Sequence, residues 1–128
     1  MGKYKNKINP FIGGLQKVFN DHISINTPDL SATGVIDYTL ILSDDSKLID
    51  MDKADALTLT VPANTDVAFP IGTTIAIRQK GAGKITITPV TGVTIDSQDG
   101  LVTTGQYAMA SILKIATDTW VAVGSLEA

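Results

Sequence analysis

Cysteine is absent from this chain of 128 residues, and aromatic residues make up only 5% of it. The lack of cysteine excludes disulfides and cysteine-based zinc sites. The single histidine, His22, leaves no Ser-His-Asp triad in the body and no set of histidine ligands for a metal. No apolar run approaches the roughly 18 residues of a membrane span. We therefore expect neither an enzyme nor a membrane partner.

The charges that are present are unevenly distributed. Residues 1–20 contain four lysines and no acidic residue, whereas the rest of the chain contains six basic and thirteen acidic ones. Two of the three phenylalanines also lie in the first twenty residues. A charge split of this kind bears on association rather than on fold. It predicts an attachment arm over residues 1–20, a turn-rich connector over 21–35 and a β-rich body over 36–128.

The arm is expected to be extended and to bind a partner. Asn9-Pro10 and Gly13-Gly14 favour turns or extended chain over helix. The apolar residues of the arm follow no period, which is typical of a segment that becomes ordered on a partner. Lysines steer such a contact towards an acidic groove, while apolar side chains anchor it. The predicted partner-binding residues are Lys3, Lys5, Lys7, Asn9, Pro10, Phe11, Leu15, Val18 and Phe19.

The body is predicted to be all-β, as a small antiparallel β-sandwich or a barrel-like fold. Apolar and polar residues alternate in short stretches such as residues 57–61 and 85–88. Turn residues separate these stretches at intervals of about 8–12 residues, which is typical of sandwiches and barrels. We interpret residues 43–46 and 80–83 as hairpin turns, with glycines that permit positive φ in the second. No stretch keeps a period of about 3.6 residues, so helix is expected to be minor.

The last two predicted strands, residues 107–116 and 120–126, are apolar on both faces. A half-exposed antiparallel strand is apolar on one face only. The second face is therefore covered either by the other sheet of the same domain or by a neighbouring subunit, and the pattern leaves both open. A homo-oligomer is expected. The predicted interface residues are Ala110, Ile112, Val121 and Val123.

Two patterns superficially suggest chemistry. Residues 81–84, Gly-Ala-Gly-Lys, lack the earlier glycine and the following Ser or Thr of a phosphate-binding loop. Asp50, Asp52 and Asp55 lack the glycine and the glutamate of an EF-hand, so we expect solvated carboxylates, with a shallow calcium site as the alternative. We expect no catalytic residue, no metal and no cofactor. Nucleic acid is not an expected partner either, because the body has no basic face.

Residues 8–15, Ile-Asn-Pro-Phe-Ile-Gly-Gly-Leu, resemble the Asn-Pro-Phe-Thr-Gly-type stretch near the N-terminus of many small tailed-bacteriophage virion proteins. Ile12 stands where that pattern usually has Thr. Residues 68–73, 79–83 and 115–124 resemble a β-rich module of phage tail, collar and head-fibre proteins. The resemblance implies a non-enzymatic structural protein of the virion. It also implies attachment by the N-terminal segment to a capsid, portal, collar or tail surface, and a projecting β-domain that is commonly a trimer.

The alternative function is a host-glycan-binding module of a phage adhesion device. Glycan sites usually present exposed aromatic faces. The body offers only Tyr38, Phe69, Tyr107 and Trp120, and at least two of these are expected in the core. A hydrolase is a third possibility, but no pair of acidic residues facing across a groove is evident.

Overall fold

The computed structural model describes residues 22–128, and this part of the chain is all-β. A 3-10 turn, Leu42–Asp44, is its one helical element, and no α-helix occurs in these residues. The strands are β1 (Ser24–Asn26), β2 (Asp37–Thr39), β3 (Lys47–Met51), β4 (Leu57–Val61), β5 (Thr74–Gln79), β6 (Ile85–Pro89), β7 (Thr94–Ser97), β8 (Val102–Thr103), β9 (Met109–Ala116), β10 (Thr119–Gly124) and β11 (Leu126–Glu127).

The strands form two sheets, and the first six strands alternate between them. Sheet A has the order β1-β3-β5-β9-β10-β7, and sheet B has the order β11-β8-β6-β4-β2. Strands β1, β3 and β5 are parallel neighbours in sheet A, and β2, β4 and β6 are parallel neighbours in sheet B. Each coil therefore stacks on the one before it. The result is a β-solenoid of about four turns.

The all-β prediction is confirmed, but the predicted antiparallel sandwich or barrel is wrong. The physical reason is that most early strands pair with the strand one coil away instead of with their neighbour in sequence. Residues 43–46 and 80–83 are consequently not hairpin turns but corners, at which the chain passes from one sheet to the other. The hairpin predicted near the C-terminus does form, as the antiparallel pair β9–β10.

The coil β3–β4 and the coil β5–β6 are stacked in the same register in both sheets. Leu48 lies beside Ala76 in sheet A, and Thr58 lies beside Thr86 in sheet B, so the partners are equally far apart in sequence in the two sheets. Equal separations place equivalent side chains in rows that cross the strands. Such rows build the core, where Ile77 is flanked by Ile49 on one side and Ala110 on the other.

The corner between β5 and β6 rests directly on the corner of the preceding coil. The amide N–H of Gly83 donates to the carbonyl oxygen of Lys53 at 2.8 Å. A Cβ atom at Gly81 or Gly83 would overlap the backbone of Lys53 or Asp55. These glycines are therefore required by the close approach of two stacked corners, and not by the positive φ that the hairpin interpretation predicts.

The core lies between the two sheets. At its C-terminal end, the core is closed by strands that run antiparallel to their neighbours. Strand β9 packs antiparallel to β5, and β8 packs antiparallel to β6. Trp120 on β10 meets Phe69 edge to face, with ring centroids 5.6 Å apart. Apolar side chains with at most 1% exposure fill the interior: Leu40, Ile49, Met51, Leu59, Val61, Ile75, Ile77, Ile85, Ile87, Ile112 and Trp120. Each such burial stabilises the fold by about 1.5–3 kcal/mol.

The segment predicted as a connector contributes to the first coil. Strand β1 lies within it and pairs in parallel with β3. Leu30 is only 4% exposed and belongs to the core. The ammonium group of Lys53 donates to the carbonyl oxygens of Leu30 and Ala32, at 2.7 and 2.9 Å. The folded coils therefore begin before residue 36, where the body was predicted to start.

A buried carboxylate organises the first coil. Asp44 has no exposed surface, and its oxygens accept hydrogen bonds from the amide of Asn26 at 2.9 Å, the hydroxyl of Tyr38 at 2.7 Å and the backbone N–H of Ile41 at 3.0 Å. Burial and the hydrogen bond to Asp44 raise the pKa of Tyr38 to about 12. The network ties β1, β2 and the 3-10 turn together, because buried polar groups are stable only when they are paired.

Candidate interaction surface

The outer face of sheet A, turned away from the core, is apolar on strands β9 and β10. The side chains at alternate positions of these strands point outward. Met109, Leu113 and Ile115 on β9 are 48, 40 and 47% exposed, and Val123 on β10 is 60% exposed. Val121 lies between them and is half-buried. Large apolar side chains at this exposure mark a surface whose contact with water is unfavourable.

The register between strands extends this surface across the rest of sheet A. One row of paired residues crosses five strands: Ile25, Leu48, Ala76, Ser111 and Val123. Ile25 is 64% exposed at the end of this row. We call the combined surface the apolar face. It consists of Ile25, Leu48, Ala76, Met109, Ser111, Leu113, Ile115, Val121 and Val123.

Charge is confined to the margins of the apolar face. At one margin, the guanidinium of Arg78 donates to both carboxylate oxygens of Asp50 over 2.8 Å each. This hydrogen-bonded pairing holds the pKa of Asp50 below its usual range. At the other margin, Asp96 lies on the edge strand β7 beside Val121. The centre of the face therefore carries no charge, and one of its two charged margins is neutralised within the chain.

The outer face of sheet B has the opposite character. In β4 and β6 the apolar residues point into the core and the threonines point outward. Thr58 pairs with Thr86, and Thr60 pairs with Thr88, so the threonines form two short rows. Threonine suits an exposed strand, because its branched Cβ packs well there and its hydroxyl can bind water. The two outer faces of the same solenoid thus differ in what they are suited to contact.

Strand β9 is not apolar throughout, because it also contains Lys114. This lysine lies on β9 between Leu113 and Ile115, yet it points inward and is only 2% exposed. Its ammonium group donates to the side-chain oxygen of Asn64 at 2.7 Å and to the carbonyl oxygen of Phe69 at 2.8 Å. The strand therefore buries its one charged residue, while Met109, Leu113 and Ile115 lie at the surface. Lysine is almost never fully buried unless it is paired.

The structure divides the predicted site residues into three groups. Ala110 and Ile112 are 4 and 0% exposed and belong to the core of the single chain, so they are not available for contact with another copy. Val121 and Val123 lie on the apolar face. The predicted partner-binding arm falls outside the residues that the structure describes: Lys3, Lys5, Lys7, Asn9, Pro10, Phe11, Leu15, Val18 and Phe19.

The residues considered for chemistry are dispersed. Asp50 is paired with Arg78, and Asp52 lies 4.0 Å from Lys80. Within residues 22–128, no group of three or more His, Cys, Asp or Glu side chains is arranged to hold a metal ion. His22 is exposed, and Lys84 of the glycine-containing corner pairs with Glu127. No helix in this part of the chain is long and apolar enough to span a membrane.

The aromatic residues of the body are mostly unavailable to a ligand. Phe69 and Trp120 are 3 and 1% exposed, and the hydroxyl of Tyr38 donates to Asp44. Tyr107 is 65% exposed. From His22 onward, it is therefore the one aromatic ring with a largely open face.

No family model matches the chain, and a search of curated proteins finds no similar one. Inferences about function consequently depend on the residues and on the fold itself.

Proposed function

We propose that this chain is a non-enzymatic structural protein of a tailed-bacteriophage particle, in a head-fibre, decoration or adaptor role. Its N-terminal segment binds a capsid, neck or tail surface, and its body projects from that surface as an oligomer. The resemblance of residues 8–15, 68–73, 79–83 and 115–124 to phage virion modules supports the role. The observation that carries it is the apolar face on a β-solenoid whose described residues contain no metal-binding cluster.

The charge split supports a division of labour between the two parts. The four lysines of residues 1–20 would be attracted to an acidic surface of the particle, and Phe11 and Phe19 would fill apolar pockets there. Charge mainly raises the rate of association, whereas buried aromatic anchors contribute most of the affinity. The acidic body would be repelled by the same surface. It would therefore project from the particle instead of lying flat on it.

Particle incorporation tests the proposed attachment. We expect a chain in which Phe11 and Phe19 are both replaced by Ala to keep the circular dichroism spectrum of the wild type but to be lost from purified particles. Replacing Lys3, Lys5 and Lys7 by Gln should instead slow incorporation and weaken its dependence on salt. Deletion of residues 1–20 should abolish incorporation. Normal incorporation of the deletion variant would contradict the proposal.

A host-glycan-binding module is the second candidate, and Tyr107 is the observation that favours it. This residue combines an exposed ring with a φ of 71°, a left-handed conformation that is uncommon for residues other than glycine. Backbone strain of this kind is often found at ligand-binding sites. A glycan array probed with the full chain distinguishes the candidates. Binding that is lost in Tyr107→Ala but retained in Tyr107→Phe would favour the glycan function.

A further inference from the structure

We infer that copies of this chain pack against one another through the apolar face of sheet A. The occupant of the face is the same face of a second copy, so the contact has two-fold symmetry and forms a dimer instead of the trimer that the resemblance implies. This inference rests on the proposed function, because it specifies which surface forms the oligomeric body. It also revises the interface expected from the sequence, since half of those residues lie in the core.

The extent of the face indicates that it is covered in the working protein. The apolar face covers five of the six strands of sheet A, and neighbouring strands lie about 4.8 Å apart, so the face is about 19 Å wide. Contiguous apolar surfaces on this scale are uncommon on monomers and mark interaction sites. Where this chain does face water, on sheet B, it places Thr58, Thr60, Thr86 and Thr88 outward. Strands β9 and β10 of sheet A carry two hydroxyl side chains, Ser111 and Thr119, and these do not pair into such a row.

The shape of the face fits another sheet. The register between strands aligns the side chains into rows, and the small residues Ala76 and Ser111 lie in the middle of a row between Leu48 and Val123. Aligned sheets pack face to face at about 10 Å, with side chains of the two inner surfaces interdigitating. Small molecules usually bind in clefts. A broad surface of rows instead suits a partner that is also a sheet.

The charges favour a second copy over an unrelated partner. Residues 22–128 carry twelve acidic and six basic residues, so two bodies repel each other through most of their surfaces. The apolar face lacks charge at its centre, and the Asp50–Arg78 pair is already neutral. Two copies therefore meet there with little repulsion between like charges. Interfaces between identical subunits are also more apolar than those between transient partners.

Matched substitutions on the two outer faces test the inference in the full chain. Leu113→Asp and Leu113→Lys each place a charge on the apolar face, and Thr86→Asp and Thr86→Lys place the same charges on the outer face of sheet B. We expect sedimentation analysis to show an oligomer for the wild type and for both Thr86 variants. Both Leu113 variants should dissociate, with a dissociation constant raised roughly a hundredfold, because a charge of either sign buried without a partner is unfavourable.

The fold of each variant is checked by the near-ultraviolet circular dichroism of the buried Trp120. If the Leu113 variants do not fold, Val123→Asp and Val123→Lys provide the same test on β10, at a position that is 60% exposed. Folded variants that remain oligomeric would overturn the inference. A wild-type chain that is monomeric at high micromolar concentration would also overturn it.

The same variants separate this inference from the proposed attachment. A monomeric wild type that enters particles through residues 1–20 would refute the copy-to-copy contact and leave the attachment intact. An oligomer that dissociates on Leu113→Asp but never enters particles would support the copy-to-copy contact and refute the attachment. If the wild type is a monomer in which Met109 resists peroxide oxidation until residues 1–20 are deleted, the face is covered by the chain's own N-terminal segment. That result would overturn the inference as well.

Discussion

Lys114 and Asn64 are joined inside the protein, 50 residues apart in sequence, by a hydrogen bond of 2.7 Å from the ammonium group to the side-chain oxygen. The same ammonium group donates to the carbonyl oxygen of Phe69. The backbone N–H of Asn64 donates in turn to Asp118, at 2.8 Å. One lysine on β9 thereby holds the long loop between β4 and β5 in place. It also positions Phe69 against Trp120.

Replacing Lys114 by Met should lower the free energy of unfolding by about 1–3 kcal/mol, because the buried oxygens of Asn64 and Phe69 lose their donor. Urea denaturation measures the change. Lys80→Met is the control, since the side chain of Lys80 is 49% exposed and its ion pair is long; we expect a change within about 0.5 kcal/mol. A Lys114 variant as stable as the control would show that the loop does not depend on this contact.

Gly83→Ala should destabilise the protein by about 1–3 kcal/mol or more, because its Cβ would overlap the carbonyl group of Asp55 in the corner below. Gly105→Ala is the matched control. A Cβ there meets no atom within 4 Å, so the change should be neutral or stabilising by up to about 1 kcal/mol. Thermal melting of the two variants makes the comparison. Equal melting temperatures would refute the close stacking of the corners.

The Asp50–Arg78 pair should make stability fall in acid. Because the pKa of Asp50 is lowered in the folded protein, its stabilisation is fully present above the unfolded value of about 3.9 and is lost as the pH falls through the lowered value. Asp50→Asn removes this contribution. Denaturation midpoints measured from neutral pH to strong acid should therefore decline less steeply below pH 4 in the variant. An identical decline would assign the acid sensitivity to other carboxylates.

Tyr38 should make stability fall in alkali. Its pKa is raised to about 12 in the folded protein, against about 10 in the unfolded chain, so its contribution is present below pH 10 and is lost as the pH rises through 12. Absorbance of tyrosinate should include a late ionisation step near pH 12 that belongs to Tyr38. Tyr38→Phe should remove this late step and Tyr107→Phe should keep it. The opposite result would place the protected hydroxyl elsewhere.

The strands of this fold are largely predictable from sequence, but their pairing is not. Alternation in Leu57-Thr58-Leu59-Thr60 and Ile85-Thr86-Ile87-Thr88 is a local property, and it identifies β4 and β6. A corner between sheets contains the same polar and glycine residues as a hairpin turn, so local sequence does not separate the two. The signal that distinguishes them is the return of the same pattern one coil later, where the two stretches pair in parallel. This pattern recurs too few times in one chain to be recognised as a repeat.

The apolar face could be anticipated only in part. The sequence shows that β9 and β10 have two apolar faces, but it does not show which one is inside. Because Lys114 is charged, it would predict that the face it shares with Ala110 and Ile112 points to solvent. In the structure, Lys114 is buried in contact with Asn64 and Phe69, so that face lies in the core. The contributions of Ile25 and Leu48 depend on the register between coils. That register is a tertiary property.

Paired residues of β3 and β5 are as far apart in sequence as paired residues of β4 and β6, so one coil is a repeating unit of length. Adding a further copy of such a coil between β4 and β5 would lengthen the solenoid by about 4.8 Å, the spacing of neighbouring strands. Both ends would keep their present structure, because each coil contacts mainly the coils next to it. The apolar face and the outer face of sheet B would each gain one more strand in register. The length of the body is therefore adjustable in whole coils, independently of the residues that precede it and of the chemical character of its two outer faces.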